Sequence, residues 1–208
     1  MNRILIVTAV EAEADAVRRG LPTDRPHGVT VLVGGVGSAR AAASTARALA
    51  LDPGYEAVLS VGIGGVFPGK AELGELLLAR HVVAADLGAD SPDGFLSVDE
   101  LGFGTTTIDG GRVPGIDAVV GTILTVNTAT GTDERAVELM RRFPQAVGEA
   151  MEGYGVAAAA TLEDLPFAEV RAVSNVVGKR DRSTWQLGLA FKALTEAALP
   201  IAEGLEAC

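Results

Sequence analysis

The feature that most constrains the fold of this chain is an alternation of short apolar runs with longer, alanine-rich stretches. The apolar runs are predicted strands at residues 4–10, 29–33, 57–61, 75–85, 119–126, 146–151 and 167–174. The stretches between and after them are predicted helices at residues 11–20, 38–51, 133–142, 153–163 and 185–205. Apolar strands that alternate with helices indicate a largely parallel sheet covered on both faces. We therefore predict an α/β fold with a three-layer α/β/α arrangement around a mostly parallel, mixed sheet.

The length of the chain and its even composition predict one domain. A chain of 208 residues lies within the size range of single α/β domains, and it contains no repeat, low-complexity segment or linker. Residues 86–115 are unusual because they are rich in Gly, Asp, Ser and Thr and show little periodicity. Structureless loops of that length are uncommon in compact domains, so we predict a functional loop there. Residues 1–208 are predicted to form a single domain.

Charge and residue usage exclude several classes of protein. The net charge is −10 with no basic block, which argues against a nucleic-acid partner because phosphates require clustered Lys and Arg. The single cysteine, Cys208, and the two histidines, His27 and His81, predict neither a disulfide framework nor a histidine-based metal site. The first apolar run is too short to span a membrane, and no cleavage site follows it. We predict a cytoplasmic protein with no membrane partner, metal or cofactor.

Acidic and amide residues follow several of the predicted strands. Glu11 and Glu13 follow the first strand, Glu152 follows the strand at 146–151, and the pair Ser174-Asn175 follows the next strand. Taken singly, such residues are ordinary helix-start acids or capping amides. In open α/β sheets, however, ligands bind beyond the carboxyl ends of the strands. Their shared position therefore favours a ligand site.

The glycine segments 34–37 and 62–65 are predicted turns after the second and third strands. The first segment resembles a dinucleotide-binding turn, but Arg40 stands where a third glycine is needed. The acidic residue expected further along is also poorly placed, because Asp52 lies in a turn. A P-loop signature is absent. These features disfavour a nicotinamide-cofactor enzyme.

Five segments, taken in order, resemble the purine nucleoside phosphorylase/nucleosidase superfamily and especially its methylthioadenosine/adenosylhomocysteine nucleosidase branch. They are residues 8–13, 62–65, 143–146, 151–153 and 171–175. Within that branch, residues 174–185 are similar to the corresponding segment of futalosine hydrolases, which serve an alternative route to menaquinone. The resemblance implies a nucleoside phosphorylase-like fold, a small nucleoside substrate such as futalosine, and a homo-oligomer built on a dimer or larger.

The resemblance also implies roles for individual residues. Glu13 matches the carboxylate that activates water, and Glu152 matches the residue that binds the ribose hydroxyls and favours the ribosyl cation. Asn175 stands where adenine-specific nucleosidases carry an Asp, and an amide can donate to a 6-oxo group but has no acidic proton to give. Asn175 is therefore predicted to select hypoxanthine. The remaining predicted substrate-binding residues are Met151, Ile63, Gly64, Ser174 and Arg180.

Several alternatives stay open at this level. Arg180, with Lys179 and Arg182, could bind the carboxylate at the far end of futalosine or could be a solvated loop cluster. Phe95 or Phe103 could cover that end of the substrate. Carboxylates stand where phosphorylases carry phosphate-binding cations, which favours hydrolysis over phosphorolysis. The rival functions are a methylthioadenosine/adenosylhomocysteine nucleosidase, a purine nucleoside phosphorylase, and a nucleoside-binding protein without turnover.

Overall fold

The computed structural model describes residues 3–22 and 28–203. Their strands are β1 (Ile4–Thr8), β2 (Val29–Val33), β3 (Ala57–Val66), β4 (Leu76–Ala84), β5 (Gly88–Ser91), β6 (Gly94–Ser97), β7 (Thr107–Asp109), β8 (Ala118–Thr125), β9 (Ala146–Ala150) and β10 (Phe167–Val176). Their α-helices are α1 (Glu11–Gly20), α2 (Ser38–Leu51), α3 (Asp133–Arg142), α4 (Gly153–Thr161) and α5 (Leu187–Glu203). His27, Cys208 and the predicted end of the last helix at residue 205 lie outside the described residues. The prediction of one domain over residues 1–208 stays a prediction.

The main sheet contains eight of the described strands, in the order β10-β4-β8-β9-β3-β1-β2 with β7 beside β4. Strand β10 pairs with β3 as well as with β4, so β3, β9, β8, β4 and β10 close into a ring. The pairs β1–β2, β1–β3, β3–β10, β4–β8 and β8–β9 are parallel, and β3–β9, β4–β7 and β4–β10 are antiparallel. The predicted mixed, mostly parallel sheet is confirmed.

Helices cover the two faces of the sheet because alternate residues of each strand point to opposite sides. On β1, Leu5 and Val7 join a buried cluster with residues of α2 and α4. Ile4 and Ile6 join a second cluster with residues of α1 and α5. The layered α/β arrangement expected from the sequence is therefore confirmed. No helix among residues 3–22 and 28–203 is long and apolar enough to cross a membrane.

Two sequence predictions about the strand ends are wrong. Residues 62–65, predicted as a turn, continue β3, and Ser174 and Asn175 lie within β10 instead of after it. Both strands extend because they pair with each other up to Val66 and Val176, and β3 also pairs with β9. Glycine at position 64 permits this close pairing, since an added Cβ would lie 3.0 Å from the backbone oxygen of Glu149.

The segment 86–115 is also more ordered than its composition predicts. It contains the antiparallel hairpin β5–β6 and the short strand β7, which pairs with β4. Its Thr105 carbonyl oxygen accepts a hydrogen bond of 2.5 Å from the hydroxyl of Tyr154 in α4. The segment is thereby tied to the helix that follows Glu152.

Candidate active site

Glu13 lies in the first turn of α1, and its carboxylate is held by backbone amides. Oε2 accepts hydrogen bonds from the N–H groups of Ala9 and Val10 at 2.8 and 3.1 Å, and Oε1 accepts one from Ile63 at 2.9 Å. The residue is 3% exposed. Burial raises the pKa of Glu13, while Arg171 and the three amides oppose that shift. A carboxylate has about four acceptor positions, so roughly one remains on Oε1 for another donor.

Glu152 lies between β9 and α4 and is also buried. Its Oε1 accepts a hydrogen bond from the N–H of Gly37 at 3.1 Å, and its Oε2 lies 3.2 Å from Nη1 of Arg171. Gly37 precedes α2, so the glycine segment that resembles a dinucleotide-binding turn directs this N–H towards a carboxylate of the protein itself. Each Glu152 oxygen keeps acceptor capacity for a ligand hydroxyl.

Arg171, in β10, joins the two carboxylates. Its guanidinium is 1% exposed and donates from Nε to Glu169 Oε1 and from Nη2 to Ser60 Oγ, each at 2.8 Å. Burial opposes its charge, but Glu169, Glu152 and Glu13 outweigh that effect and raise the pKa of Arg171. Burial raises the pKa of Glu169, against the attraction of Arg171. The arginine is therefore a fixed cation among three acids.

The close approach of these groups requires a glycine at position 62. A Cβ there would lie 2.6 Å from Glu13 Oε1 and 2.7 Å from Arg171 Nη1. Contacts that short do not occur for a real Cβ, so any side chain at Gly62 would separate the acid from the arginine. The close placement of the acid and the cation thus depends on β3 as well as on their own elements.

Asn175 lies at the far end of β10 and is oriented by its neighbours. Its Oδ1 lies 2.8 Å from the hydroxyl oxygen of Ser174, which also lies 3.1 Å from the carbonyl oxygen of Gly64. Its Nδ2 donates to the carbonyl of Val176 at 3.2 Å. The Ser174 hydroxyl identifies which end of the amide is the oxygen, and the Val176 carbonyl accepts one hydrogen of Nδ2. The second hydrogen of Nδ2 therefore points away from both groups.

A small cavity of about 130 Å³ brings together most of the predicted substrate-binding residues. Its lining includes Ile63, Gly64, Met151, Ser174, Asn175 and Arg180, together with Gly65, Thr130, Glu149 and Trp185. It is smaller than the roughly 300–1,000 Å³ of typical ligand sites, so it accommodates part of a ligand. Glu13 adjoins it through Ile63, and Glu152 adjoins it through Met151. The six predicted binding residues and the two acids therefore form one region.

Arg180 lies at the Asn175 end of this cavity. Its guanidinium stacks over the ring of Trp185 at 5.2 Å, and that of Arg182 lies 5.9 Å from the same ring. Asp181 accepts hydrogen bonds from the backbone and hydroxyl of Ser183. Across residues 3–22 and 28–203, no carboxylate lies within ion-pair distance of Arg180. Its charge is therefore available to an anion, and its role in binding one stays a prediction.

Other residues considered from the sequence lie away from the cavity. Glu11 forms an exposed ion pair with Arg18. Phe95 packs against the guanidinium of Arg142 at 4.1 Å, in a separate cavity of about 870 Å³ between the β5–β6 hairpin and α3. Size alone would favour that larger cavity, but the buried acids and Asn175 lie around the smaller one.

Three important residues received no role from the sequence: Glu149, Glu169 and Arg171. Their common signal is a charge inside an apolar strand, where an unpaired charge is costly. Glu169 and Arg171 are two positions apart on β10 and therefore share a face of the sheet. That spacing predicts an ion pair, but not which other acids it meets. No group of three or more metal-ligating side chains suited to a metal ion occurs in the described part of the chain.

Comparison with known proteins identifies the family of this chain. The profile of the Phosphorylase superfamily matches residues 3–203. The chain is 46% identical to the futalosine hydrolase of Streptomyces coelicolor, with 98% of this chain and 96% of that protein covered. It is 48% identical to the futalosine hydrolase of Acidothermus cellulolyticus, with 93% and 87% covered.

Solved structures share the fold. The native futalosine hydrolase of Helicobacter pylori matches with a TM-score of 0.78 at 19% identity, covering 97% of each chain. A 5'-methylthioadenosine/S-adenosylhomocysteine nucleosidase from the same organism matches with a TM-score of 0.77 at 20% identity, covering 98% of this chain and 97% of the other. Each of these two matches shows that the proteins share a fold.

Proposed function

Because the chain belongs to the phosphorylase superfamily and, within it, to the futalosine hydrolases, we propose that it hydrolyses the N-ribosyl bond of futalosine. The products are hypoxanthine and dehypoxanthinyl futalosine, on a route to menaquinone. The observation that carries the proposal is the placement of two buried acids, Glu13 and Glu152, near the charge of Arg171 and next to the cavity that Asn175 lines.

Glu13 is proposed as the base that activates water. Three backbone N–H groups fix its orientation and leave acceptor capacity on Oε1. The water oxygen bonds to the anomeric carbon as the bond from that carbon to the purine breaks. The bond electrons leave with the base, which takes up a proton from solvent to become hypoxanthine. The water proton passes to Glu13, whose pKa is raised by burial and therefore suits proton uptake. Glu13 afterwards returns the proton of the attacking water to solvent.

Glu152 is proposed to hold the ribose. Its oxygens accept from Gly37 and pair with Arg171, and their remaining acceptor positions suit two neighbouring hydroxyl groups. The negative charge also stabilises the ribosyl cation that develops as the base departs. Arg171 pairs with Glu152 and places its positive charge near Glu13, and it is a positioning residue in this scheme.

Hydrolysis is favoured over phosphorolysis by the charges near the reacting carbon. Burying a phosphate beside Glu13, Glu152 and Glu169 would place like charges together with one cation, Arg171, among them. The N–H of Gly37, at the start of α2, is already engaged by Glu152. Neutral water meets no such repulsion.

The proposal is tested by incubating the protein with futalosine, inosine and methylthioadenosine, each with and without phosphate, and following base release by chromatography. We expect hypoxanthine from futalosine at a rate that phosphate does not change. Adenine release from methylthioadenosine without hypoxanthine release from futalosine would instead assign the nucleosidase function. A strict phosphate requirement would identify a phosphorylase.

The oligomeric state is proposed from the resemblance. We propose a homo-oligomer, a dimer or larger, and the small size of the cavity supports a neighbour that completes the site. The cytoplasmic location predicted from the sequence stays a prediction.

A further inference from the structure

Glu149, Gly65 and Asn175 form one row across three neighbouring strands. Glu149 of β9 pairs with Gly65 of β3, and Gly65 pairs with Asn175 of β10. A Cβ on Gly65 would lie 3.3 Å from Asn175 Nδ2 and 3.7 Å from Glu149 Cγ. Since glycine has no Cβ, the surface at Gly65 is open, with the Glu149 carboxylate on one side of it and the Asn175 amide on the other. All three residues line the small cavity.

Glu149 is arranged as a hydrogen-bond acceptor. It is 6% exposed, and Thr130 donates to it twice, from N to Oε1 at 2.8 Å and from Oγ1 to Oε2 at 2.6 Å. Burial raises the pKa of Glu149, and the two Thr130 donors and the more distant charge of Arg135 oppose that shift. Within the described residues, no basic side chain lies within ion-pair distance of this carboxylate. A buried acid without an ion pair is costly, and a ligand donor would offset that cost.

The two groups match one edge of a 6-oxopurine. Hypoxanthine carries an acceptor, O6, next to a donor, N1–H, whereas adenine carries a donor, the amino group, next to an acceptor, N1. The free hydrogen on Asn175 Nδ2 suits O6. A carboxylate suits N1–H and repels the lone pair of adenine N1. An acceptor beside a donor is therefore complementary to hypoxanthine and mismatched to adenine at both positions.

We infer that Glu149 is a specificity-determining residue that accepts the N1–H of the purine, while Asn175 donates to O6 across Gly65. This inference rests on the proposed function and deepens it by naming a second group that selects a 6-oxopurine. Selection of the base then depends on two side chains. If Asn175 alone were changed, the contact of Glu149 with N1–H would remain. Hydrogen bonds to charged groups contribute about 1.5–3 kcal/mol, which corresponds to roughly 10-fold to 150-fold in affinity.

The test measures the affinities of hypoxanthine, 1-methylhypoxanthine and adenine by calorimetry. In the unaltered protein we expect hypoxanthine to bind at least about tenfold more tightly than 1-methylhypoxanthine, which lacks the N1–H. Glu149→Ala should remove that preference. Glu149→Gln, whose amide can donate to adenine N1, should lower the hypoxanthine-to-adenine affinity ratio at least about tenfold. Glu11→Gln, an exposed acid of α1, is the matched control and should leave all three affinities unchanged.

Equal binding of hypoxanthine and 1-methylhypoxanthine by the unaltered protein would overturn the inference, and that comparison needs no variant to fold. No measurable binding of hypoxanthine at millimolar concentration would also overturn it. An unchanged base preference in a folded Glu149→Gln protein that has lost turnover would instead make Glu149 a proton donor. If futalosine yields no base but the Glu149-dependent preference persists, the proposed function fails and base selection by Glu149 stands.

Discussion

At the scale of single residues, three buried carboxylates surround the charge of Arg171, and they receive different numbers of hydrogen bonds. Glu13 receives three backbone N–H groups, and Glu152 receives one from Gly37. Glu169 is completely buried and accepts a hydrogen bond from Arg171 through Oε1, and its Oε2 has no hydrogen-bond partner among residues 3–22 and 28–203. Buried acids cost several kcal/mol unless their hydrogen bonds are satisfied. Glu169 is therefore the acid of this cluster that is least favourable in its ionised form.

The first prediction concerns Glu169→Gln and stability. Burial raises the pKa of Glu169 in the folded protein above the ordinary value of 4.5, so the folded state holds the proton more tightly than the unfolded state. Its contribution to stability is present below that ordinary value and is lost as pH rises through the raised pKa. The variant does not titrate there. Its free energy of unfolding in urea should therefore rise relative to that of the parent as pH is increased above 4.5.

Glu196→Gln is the control for this measurement, because Glu196 is an exposed acid of α5 that pairs with Lys192. The difference in unfolding free energy between this variant and the parent should stay nearly constant over the same pH range. If the Glu169→Gln difference is equally constant, Glu169 has the same protonation in the folded and unfolded states.

The second prediction concerns Glu13→Gln and catalysis. The amide cannot take a proton from water, so kcat should fall by about 10²–10⁴-fold with little change in KM. In the parent, the base must be ionised, and burial raises its pKa above 4.5. The activity should therefore be lost as pH falls, with the midpoint of kcat/KM above 4.5. Glu11→Gln should retain full activity, and a comparable loss in that variant would contradict the assignment.

At the scale of secondary structure, the sequence predicts most elements but misses the extent of two strands. The runs at 57–61 and 167–174 indicate the starts of β3 and β10 because they are continuous and apolar. Their last residues include glycine and polar side chains, which indicate a turn when considered locally. Those residues remain in strands because distant segments pair with them. Local sequence contains no information about that pairing.

The third prediction tests the row across these strands. Gly65→Ala would place a Cβ 2.7 Å from Val177 Cγ2 and 3.3 Å from Asn175 Nδ2, within the floor on which the base is proposed to lie. We expect a folded protein that is less stable by about 1–3 kcal/mol because the site is overpacked. Its kcat/KM for futalosine should fall by up to about tenfold, because the base loses a hydrogen bond worth up to about 1.5 kcal/mol.

Gly188→Ala is the matched control, because an added Cβ at Gly188 meets no atom within 4 Å. Gly188 lies in α5, where alanine is the better helix former, so stability should be unchanged or slightly increased. Activity equal to the parent in both glycine variants would show that the base does not approach β3 at position 65.

At the scale of the whole molecule, the fourth prediction is the homo-oligomer. Phe103 is 83% exposed and lies near Thr105, which is bonded to Tyr154 of the site-bearing helix α4. An aromatic side chain that is this exposed suits an interface. The mass of one chain is 21.2 kDa. Light scattering coupled to gel filtration should give a mass of about two chains or a larger multiple. A mass of one chain at micromolar concentration would contradict the prediction.

The proposed site could be predicted in part because its acids follow strands, and the carboxyl ends of parallel strands meet at one edge. Glu13, Glu152 and Asn175 were found in this way. Arg171 and Glu149 were not, because a charge inside an apolar strand indicates a buried partner without naming it. Their partners come from α1, α4 and the segment after β8, which approach only when the five-stranded ring closes.

The closed ring has a consequence for how selectivity can change in evolution. Glu149, Gly65 and Asn175 belong to strands whose register is set by neighbours on both sides, so their backbone cannot easily drift. A slip of one residue would replace Glu149 in the row by Gly148 or Ala150. New base preferences are therefore accessible through exchange of two side chains on an unchanged frame, without insertion or remodelling of a loop. Such a site can diverge in substrate while its fold stays constant.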